Sequence, residues 1–286
     1  MRKDTRHNYE YDVELDGNTA PAEVVRMVGS NKRVLEIGAG PGSITKHLYE
    51  PGKCHITALE RDGEAIKKLT PYCYAVYQAD LNDASWPELL NKETFDVIVA
   101  ADVLEHLYNP WGTLDQMKSL LRDDGYIVIS LPHAGHCAIM ASLINGDFEY
   151  RDWGLLDRTH IRFFGIKNII ELFEGAGLKI VDAKFVITSP EDSEFAHQWS
   201  CLPEATQRAL LKSRFSHVYQ VVIKALPIER SGHSIDLMEM SAEPVKQSVS
   251  TILSFKKRIK SMARRFLSPE TRLQVRRIAH LLRIRV

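Results

Sequence analysis

The chain has 286 residues, 44% of them hydrophobic and 26% charged, which excludes a disordered or fibrous protein and fits one large domain or a domain with an appendage. The formal charge sums to zero, yet residues 246–286 carry twelve Lys/Arg against one acid, a net of +11, and residues 1–245 carry −11. Four scattered cysteines (Cys54, Cys73, Cys137, Cys201) with no C-x-x-C pair argue against a zinc cluster or a disulfide framework and predict a reducing, cytoplasmic setting.

In chain order, Pro21 to Val28 reads as a short amphipathic helix and Arg33 to Ile37 as a compact apolar strand that runs into Gly38-Ala-Gly-Pro-Gly42. Helix Ser43–Tyr49, strand His55–Leu59, helix Asp62–Leu69, strand Cys73–Gln78 and helix Ser85–Leu90 follow. Strand Phe95–Ala100, helix Trp111–Leu121 and strand Tyr126–Leu131 complete the rhythm. Such alternation predicts an α/β fold with a Rossmann-like, doubly wound sheet. Beyond it come an extra helix within 135–145, an irregular stretch rich in aromatics and charge over 146–164, and a helix at 167–176. Strand 178–187, a helix at 203–212 and strand 217–225 close the body. The expected division is a domain over 1–228, a polar linker over 229–245 and a basic helical tail over 246–286. The polar N-terminus and the absence of an apolar run of about 18 residues predict neither a signal peptide nor a membrane span.

Glu36-Ile-Gly-Ala-Gly-Pro-Gly42 closes a strand and opens a helix, so its glycines permit a tight turn and a close approach of a ligand to backbone N–H groups. The spacing is G-x-G-x-G rather than G-x-G-x-x-G, and Pro41 removes a donor that a pyrophosphate would use. Glu36 repels phosphate and attracts cations or hydroxyls. The second strand ends in Glu60, placed to accept from a ribose diol, and the third leads to Asp80, placed to accept from an adenine amine. A dinucleotide is thereby disfavoured.

The segments VLEIGAGPG, ALERD, QADL, FDVIVAADVLEHL and LRDDGYIVISLPH, in this order over residues 33–133, resemble the class I S-adenosylmethionine-dependent methyltransferases. Within these the likeness is to the subgroup with ubiquinone-biosynthesis-type O-methyltransferases and small-molecule enzymes of bacterial surface-glycan loci. The resemblance implies a mostly parallel seven-stranded sheet and S-adenosyl-L-methionine as cofactor. It implies Glu36, Gly38, Ala39 and Gly40 around the amino-acid and ribose end, Glu60 with Arg61 at the ribose, Asp80 with Leu81 at the adenine, and Asp102 beside the sulfonium.

A hydroxyl acceptor benefits from a general base, usually His or a carboxylate. His106 follows the fourth strand at the ligand-binding edge, either as that base or as a packing residue. His133 follows the fifth strand with His136 nearby, but no third ligand at suitable spacing accompanies them, so no metal is expected. His160 lies in Asp152-Trp-Gly-Leu-Leu-Asp-Arg-Thr-His-Ile-Arg-Phe-Phe164. That run resembles the acceptor-side segment of the same subgroup, with His160 as base, Arg158 or Arg162 binding an anionic acceptor, and Trp153 or Phe163 stacking on a ring. The alternative there is structural, with Arg162 paired to Asp157 and the phenylalanines in the core.

In the tail, Ile252, Leu253, Ile259, Met262 and Phe266 recur at helical spacing opposite Lys256, Lys257, Lys260, Arg264 and Arg265, and Ser268-Pro269 restarts a second basic helix. Such helices suit an anionic membrane surface, an assembly partner or the acidic body itself. Nucleic acid fits poorly, because the part with the cofactor motifs is net −11. The expected function is O-methylation of a hydroxyl on a small or lipid-linked acceptor such as a surface-glycan sugar. The rivals are a quinone-type phenol acceptor and a non-catalytic scaffold that binds cofactor and tethers partners through the tail.

Overall fold

The structure, a computed structural model, describes residues 9–242. The tail at 246–286 lies outside the described residues. Seven strands, β1 (Arg33–Ile37), β2 (His55–Glu60), β3 (Ala75–Gln78), β4 (Phe95–Ala101), β5 (Leu121–Pro132), β6 (Leu178–Ile187) and β7 (Val218–Pro227), form one sheet in the order β3-β2-β1-β4-β5-β7-β6. The first five run parallel, and β7 lies antiparallel between β5 and β6. The strand order reverses beside β1, so the carboxyl ends of β1 and β4 flank the crevice where open α/β sheets bind ligands.

Buried on both faces, the central strands are nearly continuous apolar runs, as parallel sheets require. Alternation still assigns the faces. Leu35 and Ile37 enter one core with Leu59, Ile98, Leu104, Leu172 and Phe173, whereas Val34 enters the other with Ile56, Val97, Val99 and Val128. Glu36 therefore shares the face of Val34.

Helices α1 (Ala20–Val28), α2 (Thr45–Tyr49), α3 (Gly63–Leu69), α4 (Pro110–Ser119), α5 (Cys137–Ile144), α6 (Ile166–Gly175), α7 (Ala196–Ser200) and α8 (Glu204–Leu210) complete the described fold. Their starts follow local chemistry. The Thr19 hydroxyl accepts from the Ala22 amide, Asp62 accepts from the Glu64 and Ala65 amides, and Asn109 accepts from the Gly112 amide, with proline in the first turn of α1 and α4. The expected helix at 85–90 is a 3-10 helix over Trp86–Leu90, with Trp86 and Leu90 as its buried anchors. β5 begins five residues before the expected Tyr126 because Leu121 already pairs with Phe95.

Of the segment expected as a linker, the described residues 229–242 form no helix or strand but lie against the body. The Ile235 amide donates to the Ile180 carbonyl at 2.9 Å, Arg230 donates to the Arg122 and Gly125 carbonyls, and Leu237 and Ala242 are buried in the main core. The apolar residues Ile235, Leu237, Met238 and Met240 hold it there without any periodic pattern to announce it.

Candidate active site

β1 delivers the chain to Gly38 (φ 64°), Gly40 (φ 57°) and Gly42 (φ 90°), all in the left-handed region that favours glycine. A Cβ on Gly38 would stand 2.7 Å from the Val103 side chain, whereas a Cβ on Gly40 would meet nothing within 4 Å. The loop thus packs on one side and opens on the other, toward the crevice. The Gly38 and Ala39 amides donate to the Leu59 carbonyl, and the Gly40 amide donates to Glu60 Oε2 at 2.8 Å. Glu60 Oε1 accepts from the Arg61 and Asp62 amides, also at 2.8 Å each. Three backbone donors therefore fix the carboxylate at the end of β2 before any ligand arrives.

Asp80 lies beyond the end of β3 and accepts from the amide and side chain of Asn82, with the exposed Arg61 guanidinium 3.9 Å away. Asn82 in turn accepts from the Tyr108 amide, which ties this loop to the one after β4. Leu81 is half-buried against the main core.

Two acids lie at the ends of β1 and β4. Glu36 is buried, and burial pushes its carboxyl up to about 7 despite the 2.8 Å hydrogen bond from the Thr45 hydroxyl. Asp102 adopts φ 53°, rare for a residue with a side chain, and is over-determined by its partners. Its carboxylate accepts from the Ser130 hydroxyl at 2.7 Å and from Gln220 at 2.8 Å, and burial raises its pKa. Above them lies Tyr11, whose amide donates to the Ser43 hydroxyl and whose own hydroxyl is raised by burial and by the nearby Asp102 and Glu36 carboxylates. The described start of the chain, at Tyr9 and Tyr11, thus lies against the site. The alternation Tyr9-Glu10-Tyr11-Asp12 was its only signal in the sequence.

In the loops after β4 and before α6 the structure brings together His106, Asp157, Thr159 and His160. The Thr159 hydroxyl donates to Asp157 Oδ1 at 2.7 Å and lies 3.0 Å from His106 Nδ1. Its proton is committed to the carboxylate, so it accepts from the imidazole N–H, which fixes the His106 tautomer. His160 Nδ1 faces the Leu155 carbonyl at 3.2 Å, its ring stands 4.7 Å from that of His106, and its Nε2 is 3.8 Å from Glu105 Oε1. Burial lowers the His160 pKa to about 4, so the ring is neutral near pH 7. Tyr9 reaches over this group, with its hydroxyl 3.4 Å from that of Thr159.

His133 lies apart from this cluster in its contacts. It is buried, its Nδ1 is 3.1 Å from the Val218 carbonyl, and its ring packs against Phe215. His136 caps α5, accepting from the Ala138 amide, with its other nitrogen against the Thr188 carbonyl. Both serve the fold at this point of the chain. Arg158 pairs with Asp152 at 2.5 Å, while Arg162 donates to the Tyr108 carbonyl and lies over the Trp111 ring. The expected Arg162–Asp157 alternative does not form, because Asp157 turns to Thr159. Trp153 and Phe163 are exposed, and Phe163 packs edge-on to Phe148.

The profile of a family described as Methyltransferase domain matches residues 10–183. A ubiquinone biosynthesis O-methyltransferase of Aeromonas salmonicida is 23% identical over 172 residues, covering 57% of this chain and 70% of that protein. A second, from Xylella fastidiosa, is 27% identical over 129 residues, covering 44% of this chain and 52% of that protein. The solved structure of a SAM-dependent methyltransferase from Archaeoglobus fulgidus superposes with a TM-score of 0.51 at 19% identity, over 72% of this chain and 91% of that one.

Proposed function

The chain belongs to the methyltransferase-domain family of class I S-adenosylmethionine-dependent enzymes, and from that premise we propose that it methylates a hydroxyl oxygen of a small or lipid-linked acceptor. The observation that carries this reading is that Asp102, which shares the neighbourhood of Tyr11 with Glu36 in an acidic crevice suited to a cationic cofactor without phosphates, also lies within electrostatic reach of His106 and Glu105. When bound, the cofactor would supply an electrophilic methyl group to the acceptor oxygen, and the neutral His160 ring would take the acceptor proton. Glu60 would hold the ribose hydroxyls, Asp80 and Leu81 would bound the adenine, and Glu36 with Asp102 would hold the charged end. Tyr9 and Tyr11 exclude water above it, which raises the value of alignment in such a displacement.

The acceptor class we favour is a sugar of a surface-glycan pathway, with Arg158 and Arg162 at the mouth meeting an anionic group. A quinone-type phenol is the second reading, and it is supported by the activity named for the relatives. Methyl-transfer assays with nucleotide-linked or lipid-linked sugars and with catechols separate the two. His160→Ala is expected to reduce turnover by about 10²-fold or more while cofactor affinity changes little, since the residue acts on the acceptor side. Full activity in that variant, with loss in His133→Ala, would move acceptor activation to the loop after β5.

The basic tail fits peripheral attachment at the inner face of a membrane, where a lipid-linked acceptor resides. Residues 246–286 should confer binding to anionic vesicles that weakens with added salt, since each base near such a surface contributes about 1 kcal/mol. The cut belongs after residue 242, because residues 229–242 are packed on the body. Equal vesicle binding by the full chain and by residues 1–242 would remove the tail from that role.

A further inference from the structure

The segment that carries His160 is fastened by a part of the chain that begins more than thirty residues later. Between β6 and β7 lie a 3-10 helix at Pro190–Asp192, α7 and α8, and Glu194 stands between the first two. Its Oε1 accepts from the Leu155 amide at 2.7 Å, and its two oxygens accept from the Tyr219 hydroxyl of β7 at 3.0 and 2.9 Å. Burial, and then the Glu194 carboxylate, pushes the Tyr219 pKa up, so the phenol stays a donor. Phe195 follows into a small core with Leu155 and Leu156, all three buried. Gly154 (φ 90°) completes the fit, because a Cβ there would collide with Glu194 Oε1.

Both backbone groups of Leu155 are then in use. Its N–H serves Glu194, and its carbonyl lies 3.2 Å from His160 Nδ1. A carbonyl only accepts, so Nδ1 carries the ring proton, and Nε2, 3.8 Å from the buried Glu105 carboxyl, keeps the lone pair that a base requires. We propose that Glu194 is a positioning residue for His160: by holding the Leu155 N–H it fixes the Leu155 carbonyl, and through that carbonyl the orientation and tautomer of the imidazole. The inference rests on the reading of His160 as the group that takes the acceptor proton. Without the carboxylate the buried Leu155 amide loses its acceptor, which is costly, so the turn at 154–157 must shift toward water or another oxygen. Tyr219 gives the clamp a rigid mount. It lies on a strand paired on both sides, and the next residue, Gln220, donates to Asp102 on the cofactor side at 2.8 Å.

The test uses the full chain with ¹⁵N-labelled histidine at about pH 7 and no acceptor, the His160 signals being assigned by their loss in His160→Gln. Burial keeps the ring neutral there, so the two ring-nitrogen shifts report the tautomer directly. The parent should show Nδ1 protonated. In Glu194→Ala the two shifts should move toward a common averaged value, and the Leu155 amide should exchange with deuterium about tenfold faster or more, the equivalent of one ordinary hydrogen bond. Glu194→Gln, which keeps an oxygen for that amide, should restore the parent's tautomer and bring exchange back to within about threefold. Tyr219→Phe, which frees the carboxylate on one side, should move the shifts partway and serves if Glu194→Ala does not fold. An affinity for S-adenosylhomocysteine within about twofold of the parent reports folding in each variant. A parent protonated at Nε2 overturns the proposal. So does a folded Glu194→Ala, or in its place Tyr219→Phe, whose His160 keeps the parent's tautomer, even with faster Leu155 exchange, because Glu194 then fastens the turn alone. No acceptor is present, so a failure here is separate from a failure of O-methylation.

Discussion

Replacing Glu60 by alanine is expected to lower the affinity for S-adenosylhomocysteine by at least about a hundredfold. A hydrogen bond to a charged acceptor contributes about 1.5–3 kcal/mol, and a ribose diol makes two of them, so about 3 kcal/mol is a lower bound and corresponds to roughly two decades in affinity. The substitution also removes the acceptor of the Gly40 amide at the crest of the glycine loop. Calorimetric titration checks it. Affinity unchanged within a few-fold would take Glu60 out of the ribose site and leave it as a loop anchor for Gly40, Arg61 and Asp62.

Glu36→Gln is expected to do two opposite things. The native carboxyl ionises near 7 because it is buried, against an ordinary value of 4.5. Between those values the folded protein holds a proton that the unfolded chain has lost, so stability falls as pH rises through that window. Above about 7 the full cost, about 3 kcal/mol, is present. Glutamine keeps the shape and removes the cost, so the free variant should melt several degrees higher than the parent at pH 8 and nearly with it at pH 4.5. Its cofactor affinity should fall, because the anion that attracts the charged end is gone. Equal melting of the two proteins at both pH values would mean that Glu36 is already ionised at no cost. A gain in stability with undiminished cofactor affinity would place it outside the site.

Much of this was legible from the sequence because the fold obeys strong periodic rules. Continuous apolar runs such as Arg33–Ile37 and Phe95–Ala101 are what strands buried on both faces require, and the glycines past β1 mark the turn that only positive φ permits. The segment Asp157-Arg-Thr-His160 announced itself by its chemistry, but its wiring did not follow from order along the chain. Arg162 turned to Trp111 and the Tyr108 carbonyl, and Asp157 took Thr159, contacts that depend on how residues 151–164 fold back onto the loop after β4. In sequence, His160 is only slightly better suited to base work than His133. Both are buried with Nδ1 against a backbone carbonyl; what differs is that His160 has His106 and Glu105 beside it and His133 has Phe215, neighbours brought together only by the fold. Glu105 was invisible for the opposite reason, since an acid beside a histidine after a strand reads as solvated until its surroundings are known. The segment over 229–242 failed as a linker because scattered apolar residues can anchor an irregular chain with no period at all.

The central claim is that this site moves a methyl group to oxygen. Incubating the full chain with cofactor labelled with ¹³C in the methyl group and with pooled sugar and phenol acceptors, then recording carbon NMR spectra of the products, tests it directly. The expected product signal is a single new methoxyl carbon, formed in step with S-adenosylhomocysteine and lost in His160→Ala. Label appearing on nitrogen or carbon, or on oxygen at an undiminished rate in that variant, would contradict it.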